Sequence, residues 1–158
     1  MNILYCGDKP MQKGILLSSM SLIKNVDEPL NIYILTVDYR EKGINYKPVD
    51  KAFAKYLKEK LNKSDIKVNI FLIDVTRYFV EELPEANMQS RFTACCMLRL
   101  FADKTDIKDR VLYLDTDVLC RKDFRDFYYQ NMDGIEIAGV SDLSLIHISE
   151  PTRRRGIS

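Results

Sequence analysis

The chain carries the sequence VLYLDTDVL at residues 111–119, and this segment decides the fold class. Its first four residues are apolar and β-prone, which predicts a buried strand over Val111–Leu114. Asp115 and Asp117 follow at the end of that strand, one residue apart. Two buried carboxylates this close repel each other, and a hard divalent cation such as Mg²⁺ or Mn²⁺ relieves the repulsion. The segment therefore predicts a strand end that binds a metal ion.

Strand and helix patterns alternate before this segment, and one more predicted strand follows it, as hydrophobic periodicity indicates. The predicted strands are Asn2–Cys6, Leu30–Val37, Val68–Ile73, Val111–Leu114 and Ile135–Val140. The predicted helices are Gly14–Lys24, Val49–Leu61, Tyr78–Leu83 and Thr93–Ala102. This order indicates an α/β sandwich with a largely parallel sheet, in which ligands bind beyond the carboxyl ends of the strands.

An aspartate follows each predicted strand. These residues are Asp8, Asp38, Asp74, Asp115 and Asp142. One strand-terminal aspartate is ordinary turn chemistry. Because parallel strands end at the same edge, their recurrence predicts an acidic rim suited to a metal-bound nucleotide or a polyol.

The chain has 158 residues and a formal net charge of +1. This length suits one domain, and the charge balance argues against binding to nucleic acid or a membrane surface. The N-terminus lacks the basic leader of a signal peptide, and no stretch approaches the roughly 18 apolar residues of a membrane span. The setting is expected to be cytoplasmic, with reduced cysteines. These are Cys6, Cys95, Cys96 and Cys120.

Residues 143–153 read LSLIHISEPTR, which resembles the translated read-through of a sequencing-library transposase adaptor. We therefore interpret residues 143–158 as non-native and exclude them from fold reasoning. The single histidine, His147, lies in this segment. Removing the segment takes away three arginines and one glutamate, which changes the formal net charge from +1 to −1. The arginine run at residues 153–155 is therefore not interpreted as a nucleic-acid site.

Several functions are compatible with an Asp-x-Asp pair at a strand end. One is a haloacid-dehalogenase-like phosphatase that uses Asp115 and Asp117, but that family carries the motif near the N-terminus and has Thr or Val where this chain has Leu119. A second is the metal site of a nucleotide-sugar glycosyltransferase, where the metal offsets charge on the departing diphosphate. A third is a non-catalytic nucleotide-binding module. A further alternative is a solvated strand-to-turn junction that binds no ligand.

Four blocks in order make the chain resemble glycosyltransferase family 8. They are residues 2–8, 30–35, 91–100 and 110–119. The resemblance implies a GT-A fold, a Rossmann-like αβα sandwich truncated here to its N-terminal nucleotide-binding part, residues 1–142. It also implies a UDP-sugar donor, UDP-glucose or UDP-galactose by family habit, with Mn²⁺ or Mg²⁺ and transfer that retains anomeric configuration.

The resemblance also assigns roles to individual residues near the first strand and the fourth helix. Asp8 would contact uracil, and Cys6 and Gly7 would line the nucleoside pocket. Arg99 would contact the donor phosphates, for which its two-pronged guanidinium is suited. The alternative for Arg99 is an ion pair with Asp103 at helical spacing.

Asp115 and Asp117 correspond to the metal ligands of the family, and Thr116 between them is expected at the nucleotide. No catalytic nucleophile is identified. The remaining aromatic residues of this region are interpreted as packing. They are Tyr113, Phe124, Phe127, Tyr128 and Tyr129.

The family's third metal ligand, a histidine, lies beyond the matching blocks, and His147 does not correspond to it. We therefore expect the 158-residue chain to bind its donor weakly and to transfer little sugar, and its truncated sheet to expose an apolar edge. The acceptor is an unidentified glycan, lipid or protein. Peripheral membrane association of the complete protein is a further expectation about partners.

Overall fold

Four parallel strands form the sheet in the computed structural model, which describes residues 1–41, 43–62, 64–82, 94–107 and 109–139. The strand order is β3-β2-β1-β4. The strands are β1 (Asn2–Cys6), β2 (Leu30–Thr36), β3 (Val68–Asp74) and β4 (Leu112–Tyr113). Because all four run in the same direction, their carboxyl ends share one edge of the sheet.

Helices connect the strands and cover the sheet. The α-helices are α1 (Gln12–Asn25), α2 (Lys51–Leu61), α3 (Thr76–Glu81) and α4 (Arg125–Tyr128). Among the described residues, 3₁₀ helices cover Lys9–Met11 and Ala94–Lys104. Contacts divide the chain into two units, Met1–Tyr128 and Tyr129–Ser158, and the first unit contains every one of these elements.

Alternation along β1 sends side chains to two separate cores, as period-2 geometry requires. Ile3 and Tyr5 pack in the core formed with α1 and α2. Leu4 and Cys6 pack on the other face, in the core formed with α3 and the 3₁₀ helix Ala94–Lys104. The predicted αβα sandwich is therefore confirmed. None of the described helices has the length and hydropathy of a transmembrane span.

Two predicted elements differ from the structure. The segment predicted as the helix Thr93–Ala102 forms the 3₁₀ helix Ala94–Lys104 instead. The strand predicted at Ile135–Val140 is wrong for residues 135–139, which are irregular, and Ile137 is 86% exposed. A strand needs a hydrogen-bonding neighbour, and none of the four described strands pairs with this segment. Val140 lies outside the described residues.

Candidate functional site

The Asp-x-Asp segment forms a turn at the carboxyl edge of the sheet. The Leu114 N–H donates to the Leu4 carbonyl at 3.0 Å, which ties the start of the turn to β1. The Val118 N–H donates to the Asp115 carbonyl at 3.1 Å and closes the turn. Both ends of the aspartate pair are therefore fixed by backbone hydrogen bonds. We refer to residues 115–118 as the acidic turn.

Tyr113 connects the acidic turn to Arg99. Its hydroxyl donates to Asp115 Oδ1 at 2.5 Å, and its ring centroid lies 5.0 Å from the guanidinium carbon of Arg99. Burial raises the pKa of the Tyr113 phenol, and the hydrogen bond to Asp115 acts in the same direction. The phenol therefore stays protonated and remains a donor to the Asp115 carboxylate.

Cys6 lies at the same edge of the sheet as Asp115 and Arg99. β1 and β4 pair Leu4 with Tyr113, and Cys6 and Asp115 each lie two residues beyond this pair, toward the carboxyl edge of the sheet. Burial is the largest cause of the raised pKa of the Cys6 thiol, Arg99 opposes it, and Asp115 adds to it. The electrostatic influence of both residues supports their closeness to Cys6. A buried thiol with a raised pKa is a poor nucleophile, so Cys6 is suited to packing rather than covalent chemistry.

Gly7 and Asp8 continue from β1. The Gly7 N–H donates to the Leu35 carbonyl at 3.0 Å, and a Cβ at Gly7 would lie 2.6 Å from Sδ of Met11. Asp8 is only 6% exposed. Burial raises the pKa of its carboxyl, and a hydrogen bond from its own backbone N–H partly opposes this. Asp8 also contributes to the raised pKa of the buried Cys95 thiol, after burial itself.

The acidic turn offers a donor set that suits a hard divalent ion. Asp115 and Asp117 are exposed, and carboxylate oxygens are the ligands that Mg²⁺ and Mn²⁺ prefer. No group of three or more His, Cys, Asp or Glu side chains suited to a metal occurs in the described ranges. The two carboxylates thus fit an ion that keeps waters or phosphate oxygens in its remaining positions.

The predicted acidic rim is only partly an open site. Asp38 forms an ion pair with Arg40, and Asp74 accepts from the backbone and hydroxyl of Thr76. These two aspartates therefore serve local turns. Asp142 lies outside the described residues.

The alternative partner of Arg99 is not seen. Within the described part of the chain, no ion pair joins Arg99 to Asp103, and the ring of Tyr113 is the contact of the guanidinium group. The arginine is exposed at the same edge as the acidic turn. Its charge is therefore available to an anionic ligand.

A separate groove lies between α2 and β3. Its volume is about 620 Å³, and its lining includes Val49, Lys55 and Leu72. Asp74 of the predicted acidic rim lines it, but none of the residues assigned to the nucleotide or the metal does. The candidate site is thus an open strand edge rather than this groove.

The family model described as glycosyl transferase family 8 matches residues 2–156. The chain belongs to glycosyltransferase family 8. The matched range includes much of the segment interpreted as adaptor read-through, which lies outside the described residues. A comparison with curated proteins found no match.

Solved structures of LgtC have a similar fold to this family 8 chain. One, described as the galactosyltransferase LgtC in complex with donor and acceptor sugar analogues, has a TM-score of 0.62 and 18% sequence identity. The match covers 84% of this chain and 43% of the LgtC chain. An active-site mutant of LgtC gives the same values. This chain therefore spans less than half of the LgtC chains, and the likeness concerns the fold alone.

Sequence reasoning assigned Tyr113 to packing, and that role is only part of what the structure gives it. The ring does pack against the core that contains Leu4 and Cys6. The hydroxyl also contacts Asp115, and the ring contacts Arg99. The signal was available in the sequence, because residues i and i+2 of a strand share a face. Of the other predicted packing residues, Phe124 and Tyr128 are partly or fully buried, whereas Phe127 and Tyr129 are exposed.

Proposed function

We propose that residues 1–142 of this family 8 chain bind the nucleotide sugar of a metal-dependent, retaining hexosyltransferase. One observation carries the proposal. The acidic turn lies at the carboxyl edge of a parallel sheet, next to β1, which ends at Cys6 and leads into Gly7 and Asp8. This edge is where open α/β sheets bind ligands.

Asp115 and Asp117 would hold Mn²⁺ or Mg²⁺ together with the diphosphate of the donor. When bound, such an ion offsets negative charge on the departing nucleoside diphosphate. Arg99 would donate two hydrogen bonds to phosphate oxygens, because its fork matches their spacing. Thr116 lies between the two carboxylates and would contact the nucleotide from the turn.

Asp8 would accept a hydrogen bond from the uracil imide, with Cys6 and Gly7 forming the adjoining wall. The near-complete burial of Asp8 supports this role, because a carboxylate shielded from water discriminates strongly between bases that can and cannot donate to it. This role requires the ionised form of the Asp8 carboxyl. Because burial raises the pKa of that carboxyl, UDP binding depends on a pH above the raised pKa.

The donor proposed is UDP-glucose or UDP-galactose, and the acceptor is a glycan, lipid or protein. The neighbour LgtC is described as a galactosyltransferase solved with donor and acceptor sugar analogues, which supports a sugar donor and a sugar-bearing acceptor. We place the protein in the cytoplasm, with peripheral membrane association of the complete protein. No nucleic-acid partner is proposed.

A nucleotide panel tests the proposal. UDP, GDP, CDP and ADP are titrated into the purified chain by calorimetry, first with Mn²⁺ and then with EDTA. We expect UDP to bind most tightly, and to bind more tightly with Mn²⁺ than in EDTA. Binding of UDP that is equally tight in EDTA would favour a non-catalytic nucleotide module instead.

The phosphatase alternative has its own test. Such an enzyme would form a phosphoaspartate at Asp115 and would be blocked by a phosphate analogue such as beryllium fluoride. Membership of family 8 argues against this chemistry. We expect no hydrolysis of p-nitrophenyl phosphate and no effect of beryllium fluoride on UDP binding.

We also propose that residues 143–158 are adaptor read-through. Sequencing the genomic reading frame through this point tests the idea. The expected result is a different continuation after residue 142 that supplies a histidine for the metal. Finding LSLIHISEPTR in the genome would overturn it.

A further inference from the structure

Helix α1 holds the segment that leaves the acidic turn. The backbone N–H of Cys120 donates to Oγ of Ser21 at 2.8 Å. The backbone carbonyl of Cys120 accepts from Nδ2 of Asn25 at 3.1 Å. The backbone N–H and C=O of Cys120 are thus both hydrogen-bonded to side chains of α1. Cys120 is therefore attached to the helix through both of its backbone polar groups.

Further hydrogen bonds fix the orientation of these two side chains. The Ser21 hydroxyl donates to the Ser18 carbonyl at 2.6 Å, which leaves its lone pairs for the N–H of Cys120. The amide of Asn25 has two hydrogens, and it donates the other one to the Ser21 carbonyl at 2.8 Å. Each of these hydrogens makes one hydrogen bond. Neither side chain can therefore rotate without losing a hydrogen bond.

The same helix meets the acidic turn directly at Gly14. A Cβ built on Gly14 would lie 2.5 Å from the carbonyl oxygen of Thr116 and 3.1 Å from its carbonyl carbon. Contacts below 3.0 Å do not occur for real Cβ atoms, and the atoms met here are backbone atoms. The backbone of the acidic turn can therefore occupy this position only because residue 14 has no side chain.

These contacts come from one side of α1. Gly14, Ser21 and Asn25 are separated by seven and four residues, which are the spacings of one helical face. Thr116 and Cys120 lie on either side of Asp117 in the chain. The helix therefore contacts the chain both before and after this aspartate.

We infer that α1 serves as the template of the acidic turn, with Gly14, Ser21 and Asn25 as positioning residues for Asp115 and Asp117. The inference deepens the proposed function, on which its metal-binding consequence rests. A divalent ion requires its ligands within narrow geometric limits, and supporting hydrogen bonds outside the ligand set affect metal affinity strongly. No positioning residue is itself a metal ligand, so their effects separate from loss of a ligand.

Hydrogen exchange tests the template without any metal. In Ser21→Ala, we expect the amide of Cys120 to exchange at least about fivefold faster, because its acceptor is gone. Ser21→Thr keeps a hydroxyl and should restore slow exchange. Ser64→Ala is the matched control, since Ser64 also donates to a helical carbonyl, that of Leu61 at 2.7 Å, but lies at the other end of the sheet.

Metal affinity is the second readout. With UDP at a fixed concentration, we expect Gly14→Ala and Asn25→Ala to raise the Mn²⁺ concentration for half-maximal binding by about tenfold or more. Gly139→Ala is the control for the glycine, because a Cβ there meets nothing within 4 Å. UDP affinity in EDTA should stay the same in all variants, a result that a globally damaged fold would not give.

The outcomes separate the two ideas. Wild-type exchange at Cys120 in Ser21→Ala, or unchanged Mn²⁺ dependence in Gly14→Ala and Asn25→Ala, would overturn the template. Faster exchange in Ser21→Ala together with no Mn²⁺-dependent UDP binding in the wild type would support the template and contradict the proposed function.

Discussion

The hydroxyl of Tyr113 donates a hydrogen bond of 2.5 Å to Oδ1 of Asp115, two residues further along the chain. On the other side, the ring of Tyr113 lies 5.0 Å from the guanidinium carbon of Arg99. One side chain therefore joins the proposed phosphate-binding cation to a proposed metal ligand. The alternation of a strand produces this arrangement, because Tyr113 and Asp115 face the same way and the 3₁₀ helix that carries Arg99 covers that face.

Replacing Tyr113 with Phe should weaken metal-dependent UDP binding. The ring stays under Arg99, but Asp115 loses the hydrogen bond that orients its carboxylate. Loss of such a supporting contact costs about tenfold in metal affinity. Manganese titration in the presence of UDP measures it, with the exposed Tyr56→Phe on α2 as the control. Equal Mn²⁺ affinities of wild type and Tyr113→Phe would remove Tyr113 from the site.

Arg99→Lys should weaken UDP binding by about tenfold although the charge is kept. Lysine cannot donate two parallel hydrogen bonds to a diphosphate, and it lacks the planar group that lies over the ring of Tyr113. The matched control is Arg121→Lys, since Arg121 is also exposed and follows the acidic turn. Calorimetric titration of UDP with Mn²⁺ compares the two. The same affinity loss in both variants would assign the effect to general charge rather than to a specific contact.

Asp8 should make stability depend on pH in a defined direction. Burial raises its pKa above the ordinary value of 3.8, so the folded state favours the protonated carboxyl. The associated stability is present below pH 3.8 and is lost as pH rises through the raised pKa. Asp8→Asn has no charge to bury. Its free energy of unfolding should therefore increase relative to wild type between about pH 4 and pH 7.

Urea denaturation across this pH range measures the difference for Asp8. Asp65→Asn is the control, because Asp65 is exposed and precedes β3 at the opposite edge of the sheet. A constant difference between Asp8→Asn and wild type at all pH values would show that Asp8 titrates normally.

Removal of the hydroxyl group should change the free energy of unfolding differently at two buried tyrosines, Tyr5 and Tyr39. The hydroxyl of Tyr5 donates to Oγ of Ser18 at 2.7 Å, and burial raises its pKa to about 12. The hydroxyl of Tyr39 is buried and has no hydrogen-bond partner among the described residues. Tyr5→Phe should lower the free energy of unfolding by about 1–2 kcal/mol. Tyr39→Phe should leave it unchanged or raise it by up to about 1 kcal/mol, because a buried group without a partner is removed.

Urea denaturation monitored by circular dichroism compares these two variants under one set of conditions. The decisive result is which variant loses more free energy of unfolding, since both substitutions remove one oxygen atom from a buried ring. A larger loss for Tyr39→Phe than for Tyr5→Phe would contradict the hydrogen-bond assignment.

The order of strands and helices could be predicted because the patterns that specify them are local. The apolar run of β1 and the segment at residues 111–119 are each continuous in sequence. Their hydrophobic periodicity identifies them as strands and indicates which face of the sheet each side chain occupies. The prediction of a strand at residues 135–139 was wrong because β-propensity depends on a pairing neighbour. The 3₁₀ geometry of Ala94–Lys104 was likewise outside the reach of periodicity, which separates helix from strand but not one helix type from another.

The ligand residues of the candidate site could be predicted from the sequence, but the residues that hold them in position could not. Asp115 and Asp117 stand out in the sequence, whereas Ser21 and Asn25 look like ordinary polar residues of an amphipathic helix. Their partner, Cys120, is 99 and 95 residues away in the chain. A single sequence carries no local signal for a contact of that separation, because it arises only when α1 packs beside the acidic turn.

The most direct test of the proposed site is a UDP titration of wild type, Asp117→Asn and Asp65→Asn, each with Mn²⁺ and with EDTA. Asp117→Asn removes a charged ligand but keeps the shape of the side chain. We predict that Mn²⁺ strengthens UDP binding to wild type and Asp65→Asn and has no effect on Asp117→Asn. Manganese-dependent binding of UDP to Asp117→Asn with wild-type affinity would contradict a metal site at the acidic turn.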